Sequence, residues 1–235
     1  MKKLVLCGCS LGESWMPYFD LAGYTNVTRS KEKWDTTRIQ LGGGGHGVMV
    51  NGLLNHFLTN DISSTTVIAQ FTAIDRRTVV VSDNFNKTLL DEGGYKTRLI
   101  ENKITNKKEY ILSDLSCRPA VLNTIASSLS GDYNVVNLIS VLCMLSKLGA
   151  DVYAFRGWQG LSTTAESVGS SRIARWDRIK KLLNDGNVTI TDLDYLSECI
   201  KLSTKEEDWV DDTHPTEVLG TKGFDKIWKE LNANK

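Results

Sequence analysis

Leu4-Val5-Leu6-Cys7 is an apolar run that stops at Gly8, turns through Cys9-Ser10-Leu11 and leads into a short stretch that reads as helix. A buried strand, a glycine-bearing turn and a helix in direct succession make the opening half of a βα unit. The order recurs. Thr36 to Leu41 reads as a strand and runs into Gly42-Gly43-Gly44-Gly45-His46-Gly47, after which Val50, Leu53, Leu54 and Phe57 have helical spacing. Thr65 to Phe71 is β-branched and apolar, as a strand requires. Val135 to Leu148 places Val136, Ile139, Leu142, Cys143, Leu145 and Leu148 on one broad helical face, with Gly149 to end it and Asp151 to Phe155 as the next strand. Alternation of this kind predicts an α/β chain with a mainly parallel sheet covered by helices on both faces.

The serine of the first turn is a candidate nucleophile, but a serine needs a base. The chain has three histidines, His46, His56 and His214. His214 lies in Asp211-Asp212-Thr213-His214-Pro215, where an acid three residues earlier can fix the imidazole tautomer and stabilise its protonated form. Pro215 disfavours helix at His214 and keeps it on a loop. Thr213 or Thr216 can cap the terminal helix, which continues through Phe224, Ile227, Trp228 and Leu231. His46 sits in the glycine loop, where it can touch a ligand but has no orienting acid before it. His56 falls beside an apolar helical stripe, an ordinary place for a structural histidine. Asp212 competes with Asp211 as the orienting acid.

The glycine loop between a strand and a helix N-terminus gathers backbone N–H groups where an anion can sit. It lacks the Gly-Lys-Ser/Thr of a phosphate loop and the spacing of a dinucleotide fingerprint. A phosphate site, an oxyanion hole and a plain flexible loop all remain open on this pattern.

Two blocks carry a family resemblance. Gly8-Cys9-Ser10-Leu11 is similar to the Gly-Asp-Ser-Leu block of the SGNH (GDSL-type) hydrolases, with Cys9 in place of the usual Asp, and Asp211-x-x-His214 resembles that family's C-terminal block. The arrangement spans the chain, although the matched motifs cover only about twenty residues. The resemblance implies a three-layer α/β/α sandwich with a flavodoxin-like, five-stranded sheet. It also implies a Ser10, His214 and Asp211 triad, selects Asp211 over Asp212, and places oxyanion donors at Ser10 and Gly45, with Gly44 next. The family's third block supplies an Asn donor; here Ile74 stands at that position if Asp75 matches the block's Asp, and Thr72 or Gln70 is the candidate replacement. Gln70-Phe71-Thr72 followed by Arg76 resembles phage-encoded members. His46, Gln70, Arg76 and Trp158 are candidate substrate contacts, Trp158 because it follows a strand at the edge where open α/β sheets hold ligands.

The implied reaction is hydrolysis of a small acyl ester, acetylated carbohydrate first, without metal or organic cofactor. A non-catalytic carbohydrate-binding or virion structural protein on the same fold is the alternative, and a phosphate- or nucleotide-binding protein a further one. Composition narrows the partners. Twenty-eight basic residues balance twenty-eight acidic ones among 235, so no global field favours nucleic acid. The basic residues of the helix expected over Arg172 to Asn184 read as a solvated face. No apolar run reaches the roughly twenty residues of a membrane helix. Five cysteines, an odd number without metal-ligand spacing, fit reduced thiols and a cytosolic product, or a virion-associated one if phage-encoded. The expectation is one domain over 1–235, with 79–110 a polar excursion lacking clear period. Oligomeric state is left open.

Overall fold

The computed structural model describes residues 2–9, 11–21, 34–40, 45–72, 78–82, 96–102, 107–113, 131–157, 169–211 and 214–235. The chain begins with β1 (Lys2–Gly8), α1 (Gly12–Trp15) and α2 (Pro17–Leu21), followed by β2 (Trp34–Gln40), α3 (His46–Phe57) and β3 (Thr65–Phe71). After an excursion, α4 (Gly131–Lys147), β7 (Asp151–Arg156), α5 (Gly169–Asp185), β8 (Thr189–Asp194), α6 (Tyr195–Leu202) and α7 (Glu217–Ala233) complete it. The main sheet runs β2-β1-β3-β7-β8, and every pairing in it is parallel. This is the five-stranded flavodoxin-like order expected from the sequence. Its direction reverses between β1 and β3, so their carboxyl ends border the crevice where such sheets bind ligands.

The strand sequences explain the two covered faces. Val5 and Cys7 of β1, Val67, Ala69 and Phe71 of β3, and Val152 and Ala154 of β7 pack with Met49 and Leu53 of α3, Leu138 and Leu142 of α4, and Trp176 and Leu183 of α5. The alternate residues, Leu4, Leu6, Ile68, Tyr153 and Phe155, pack with Trp15 of α1, Phe19 of α2, Tyr195 of α6, and Phe224, Ile227 and Leu231 of α7. Central parallel strands buried on both sides favour apolar residues, and the middles of these three are apolar, Leu4 to Cys7, Val67 to Ala69 and Val152 to Phe155, with Thr65, Thr66 and Gln70 as buried polar exceptions on β3. Gly149 takes φ +97° just beyond α4, and the Ala150 N–H closes on the Leu145 carbonyl at 3.1 Å, the left-handed stop that the glycine suits.

Two expectations change. The 79–110 stretch is not without regular structure: β4 (Thr78–Ser82), β5 (Lys96–Asn102) and β6 (Lys107–Ser113) form a separate antiparallel sheet in the order β4-β6-β5. Its register opposes Val80 to Ile111 and Leu99 to Tyr110, so the pattern is carried by pairing across strands rather than by a period along a polar stretch. The second change is at Asp192, where the sequence from Asp192 to Leu202 reads as one short helix. Thr189–Asp194 is instead the edge strand β8, and the helix starts at Tyr195 with Asp194 as its cap, the Ser197 N–H donating to Asp194 Oδ1 at 2.9 Å. The exposed Asp192 and the buried polar Thr191 interrupt the apolar signal of this edge strand.

Candidate active site

The first turn of the chain is built into the core. The Gly12 N–H donates to the Cys9 carbonyl at 2.8 Å, joining the residues on either side of position 10. The following helix α1 is anchored on three sides. Trp15 is 0 % exposed, stacks on Phe224 at 4.8 Å between ring centroids and meets Phe155 edge-on at 5.2 Å. Its Nε1 donates to Gln70 Oε1 at 3.0 Å. Ser14 donates to the Leu11 carbonyl at 2.8 Å, so the Tyr195 hydroxyl, 2.7 Å away, is the donor in their shared hydrogen bond. Burial pushes the Tyr195 phenol well above its ordinary pKa, keeping it a neutral donor.

The other end of the chain reaches the same place because α7 packs on α1. A Cβ at Gly220 would lie 2.5 Å from the Ser14 carbonyl oxygen and 2.5 Å from the Tyr195 hydroxyl, so only glycine permits this approach. Just before α7, Trp209 and Pro215 form an antiparallel bridge. It is flanked by the Val210 N–H donating to the His214 carbonyl and the Thr216 N–H donating to the Asp208 carbonyl, each at 2.8 Å. At its tip, the His214 N–H donates to Asp211 Oδ1 at 2.8 Å, and His214 Nδ1 lies 2.9 and 2.8 Å from the two Asp211 oxygens. A proton on Nδ1 satisfies that carboxylate and makes Nε2 the basic nitrogen. His214 is 34 % exposed and Asp211 56 %. Thr216 caps α7, accepting from the Leu219 N–H at 3.4 Å, which decides between the two threonines. Asp208 closes the preceding turn; the Thr204 N–H foremost, then that of Lys205, holds its carboxyl below the usual range.

At the end of β3, the backbone N–H of Thr72 donates to His46 Nε2 at 3.2 Å. The Thr72 hydroxyl is buried and has no partner among the described residues. Gly45 caps α3 with extended backbone and lies at the helix N-terminus next to that strand end. His46 and Gln70, expected to touch substrate, are each 0 % exposed. Ser10, Gly44, Arg76 and Trp158 lie outside the described residues, as do Ile74, Asp75 and Asp212. Sequence reasoning passed over Trp15, Tyr195 and Gly157, whose roles are visible only from what they touch. It also missed Arg156 and Asp194, an ion pair at 3.2 Å beside Gly157.

Cys7 and Cys9 point into the two opposite cores, and Cys7, Cys9, Cys143 and Cys199 are free thiols. Burial raises the Cys199 thiol to about 12 and Cys7 higher still, which leaves both inert as nucleophiles at neutral pH. Among the described residues no helix is long and apolar enough to cross a membrane.

No protein-family model matches the chain, and no curated protein matches it in sequence. Solved structures do. TesA is similar at a TM-score of 0.56 and 10 % identity, covering 100 % of both chains. The psychrotrophic esterase EstA from Pseudoalteromonas sp., in a structure inhibited by monoethylphosphonate, is similar at 0.54 and 11 %, again over 100 % of both chains. Axe2, an acetylxylan esterase from Geobacillus stearothermophilus, is similar at 0.55 and 10 %, over 98 % of this chain and 93 % of its own. The chain has the three-layer α/β/α fold of the SGNH (GDSL-type) esterases and acylhydrolases.

Proposed function

We propose that the protein is a serine esterase that hydrolyses small acyl esters, with acetyl groups on carbohydrate as the preferred class. The observation that carries the reading is the Asp211 and His214 pair, closed at 2.8 Å on a loop whose following helix packs on α1, the helix that follows Ser10. Ser10 attacks the acyl carbon while His214 Nε2 takes its proton. His214 then returns that proton to the leaving alcohol, and a water molecule repeats the cycle to release the acid. Asp211 holds the imidazole in the required tautomer and stabilises its protonated form. The N–H groups of Ser10 and Gly45, with Gly44 beside them, face the developing oxyanion in this reading. Thr72 takes the place of the missing Asn through its hydroxyl, because its N–H is already given to His46. Arg76 and Trp158 are assigned to substrate binding on the resemblance alone. The acetyl preference draws on the similarity to the acetylxylan esterase Axe2.

A phosphonate inhibitor of EstA suggests the test. Purified protein treated with a fluorophosphonate and mapped by peptide mass spectrometry should carry the label on Ser10, and Ser10→Ala and His214→Ala should abolish it. A folded wild type that takes no label would favour the non-catalytic carbohydrate-binding reading, for which Ile74 in the place of the donor Asn speaks. A label on another serine would displace Ser10 as the nucleophile.

A further inference from the structure

The geometry points to Gln70 as the positioning residue of the nucleophile turn, an inference that rests on the proposed chemistry of Ser10. Gln70 is wholly buried near the end of β3, in a layer otherwise made of Ile68, Phe155, Trp15 and Tyr195. Its Oε1 accepts from Trp15 Nε1 at 3.0 Å and from Cys9 Sγ at 3.8 Å. An indole nitrogen can only donate, so the carboxamide cannot be turned the other way. These two partners bracket the nucleophile, Cys9 immediately before Ser10 and Trp15 at the end of the helix after it. One oxygen therefore ties together the residues on either side of Ser10, which the Gly12 N–H to Cys9 carbonyl bond also joins.

The neighbouring strands make room for this amide. A Cβ at Gly8, on β1, would lie 2.8 Å from Gln70 Oε1, and one at Gly157, just beyond β7, would lie 2.6 Å from Nε2. Nε2 itself is buried without a hydrogen-bond partner among the described residues. A buried donor left unpaired in an apolar layer is unfavourable for stability, and an apolar side chain of the same shape avoids that penalty. Its presence is explained by the task of Oε1. The proposed reaction needs both the Ser10 Oγ and the N–H assigned to the oxyanion in register with the acyl group, so a small displacement of Cys9 or α1 on either side would spoil attack and charge stabilisation together.

Gln70→Met fills nearly the same volume and removes the acceptor; Trp15→Phe removes the donor at the other end. Both are compared with wild type and the double variant, well below their unfolding midpoints. The readouts are the fluorophosphonate labelling rate at Ser10 and kcat and KM on p-nitrophenyl acetate. Each single variant should lose at least tenfold in labelling rate and kcat with KM within about twofold, and the double variant should be no worse than the more impaired single one. Folded Gln70→Met that labels at the wild-type rate, or losses that multiply in the double variant, would overturn the inference. Should Gln70→Met fail to fold, Trp15→Phe at the wild-type rate would overturn it alone. A wild type that never labels at Ser10 removes the esterase reading itself, an outcome distinct from these.

Discussion

The two halves of the candidate triad are held in opposite ways. On either side of position 10 the chain is locked into the core: Cys9, Leu11, Ser14, Trp15 and Met16 are all buried, on the face of the sheet where α2, α6 and α7 pack with β1, β3 and β7. Around His214 the chain is a surface turn, with Asp211 56 % exposed, fixed by backbone hydrogen bonds across a few residues and by one proline bridge. The nucleophile side depends on long-range packing, whereas the base side depends on local sequence. Substitutions in the first should therefore cost stability and activity together, and substitutions in the second should cost activity alone.

Asp211→Asn is the strongest way to break this contrast. The exposed pair contributes little to stability, while an amide in place of the carboxylate favours the wrong imidazole tautomer and should lower kcat on the order of 10²- to 10⁴-fold. Steady-state kinetics beside thermal unfolding would show the fall in rate with an unmoved midpoint; a large drop in midpoint would mean that the loop is tied to the core. Gly220→Ala comes next. Its new methyl group would meet the Ser14 carbonyl and the Tyr195 hydroxyl at 2.5 Å, forcing α7 from α1 at a cost of about 1 to 3 kcal/mol. Urea unfolding should record that loss together with slower Ser10 labelling, and retention of both would show the interface to be plastic.

Asp194 supplies the smallest and most specific effect. It caps α6, the helix that presents Tyr195 to α1, and burial raises its carboxyl pKa despite the Ser197 N–H and the nearby Arg156 guanidinium. The folded state thus holds its proton more tightly than the unfolded chain does. The stability this contributes is full below the unfolded value of about 3.9 and is lost as pH rises through the raised folded value. The midpoint of the wild type minus that of Asp194→Asn should fall across that window, and a difference constant with pH would contradict the burial argument.

Legibility in the sequence follows the same division. Asp211-x-x-His214-Pro215 announced its loop and its pairing because the interaction spans three residues, and Thr216 was already a candidate cap. The β1, β3 and β7 strands were legible because burial on both faces leaves continuous apolar runs. The sheet order followed from alternation and resemblance together. Thr189–Asp194 and the β4-β6-β5 sheet were not legible, since an edge strand carries a broken pattern and antiparallel pairing is written across segments far apart along the chain. The hydrogen bonds that Gln70 accepts from Trp15 and Cys9, and the clearance that Gly8 and Gly157 leave for it, join segments far apart along the chain, so they were not legible at a strand end. What the sequence by itself determined was the alternation of elements and the local acid and base, both set by neighbours along the chain. Tertiary structure alone decided how the two ends of the chain meet, because the close approach of α7 to α1 depends on Gly220, Ser14 and Tyr195 converging from three separate segments.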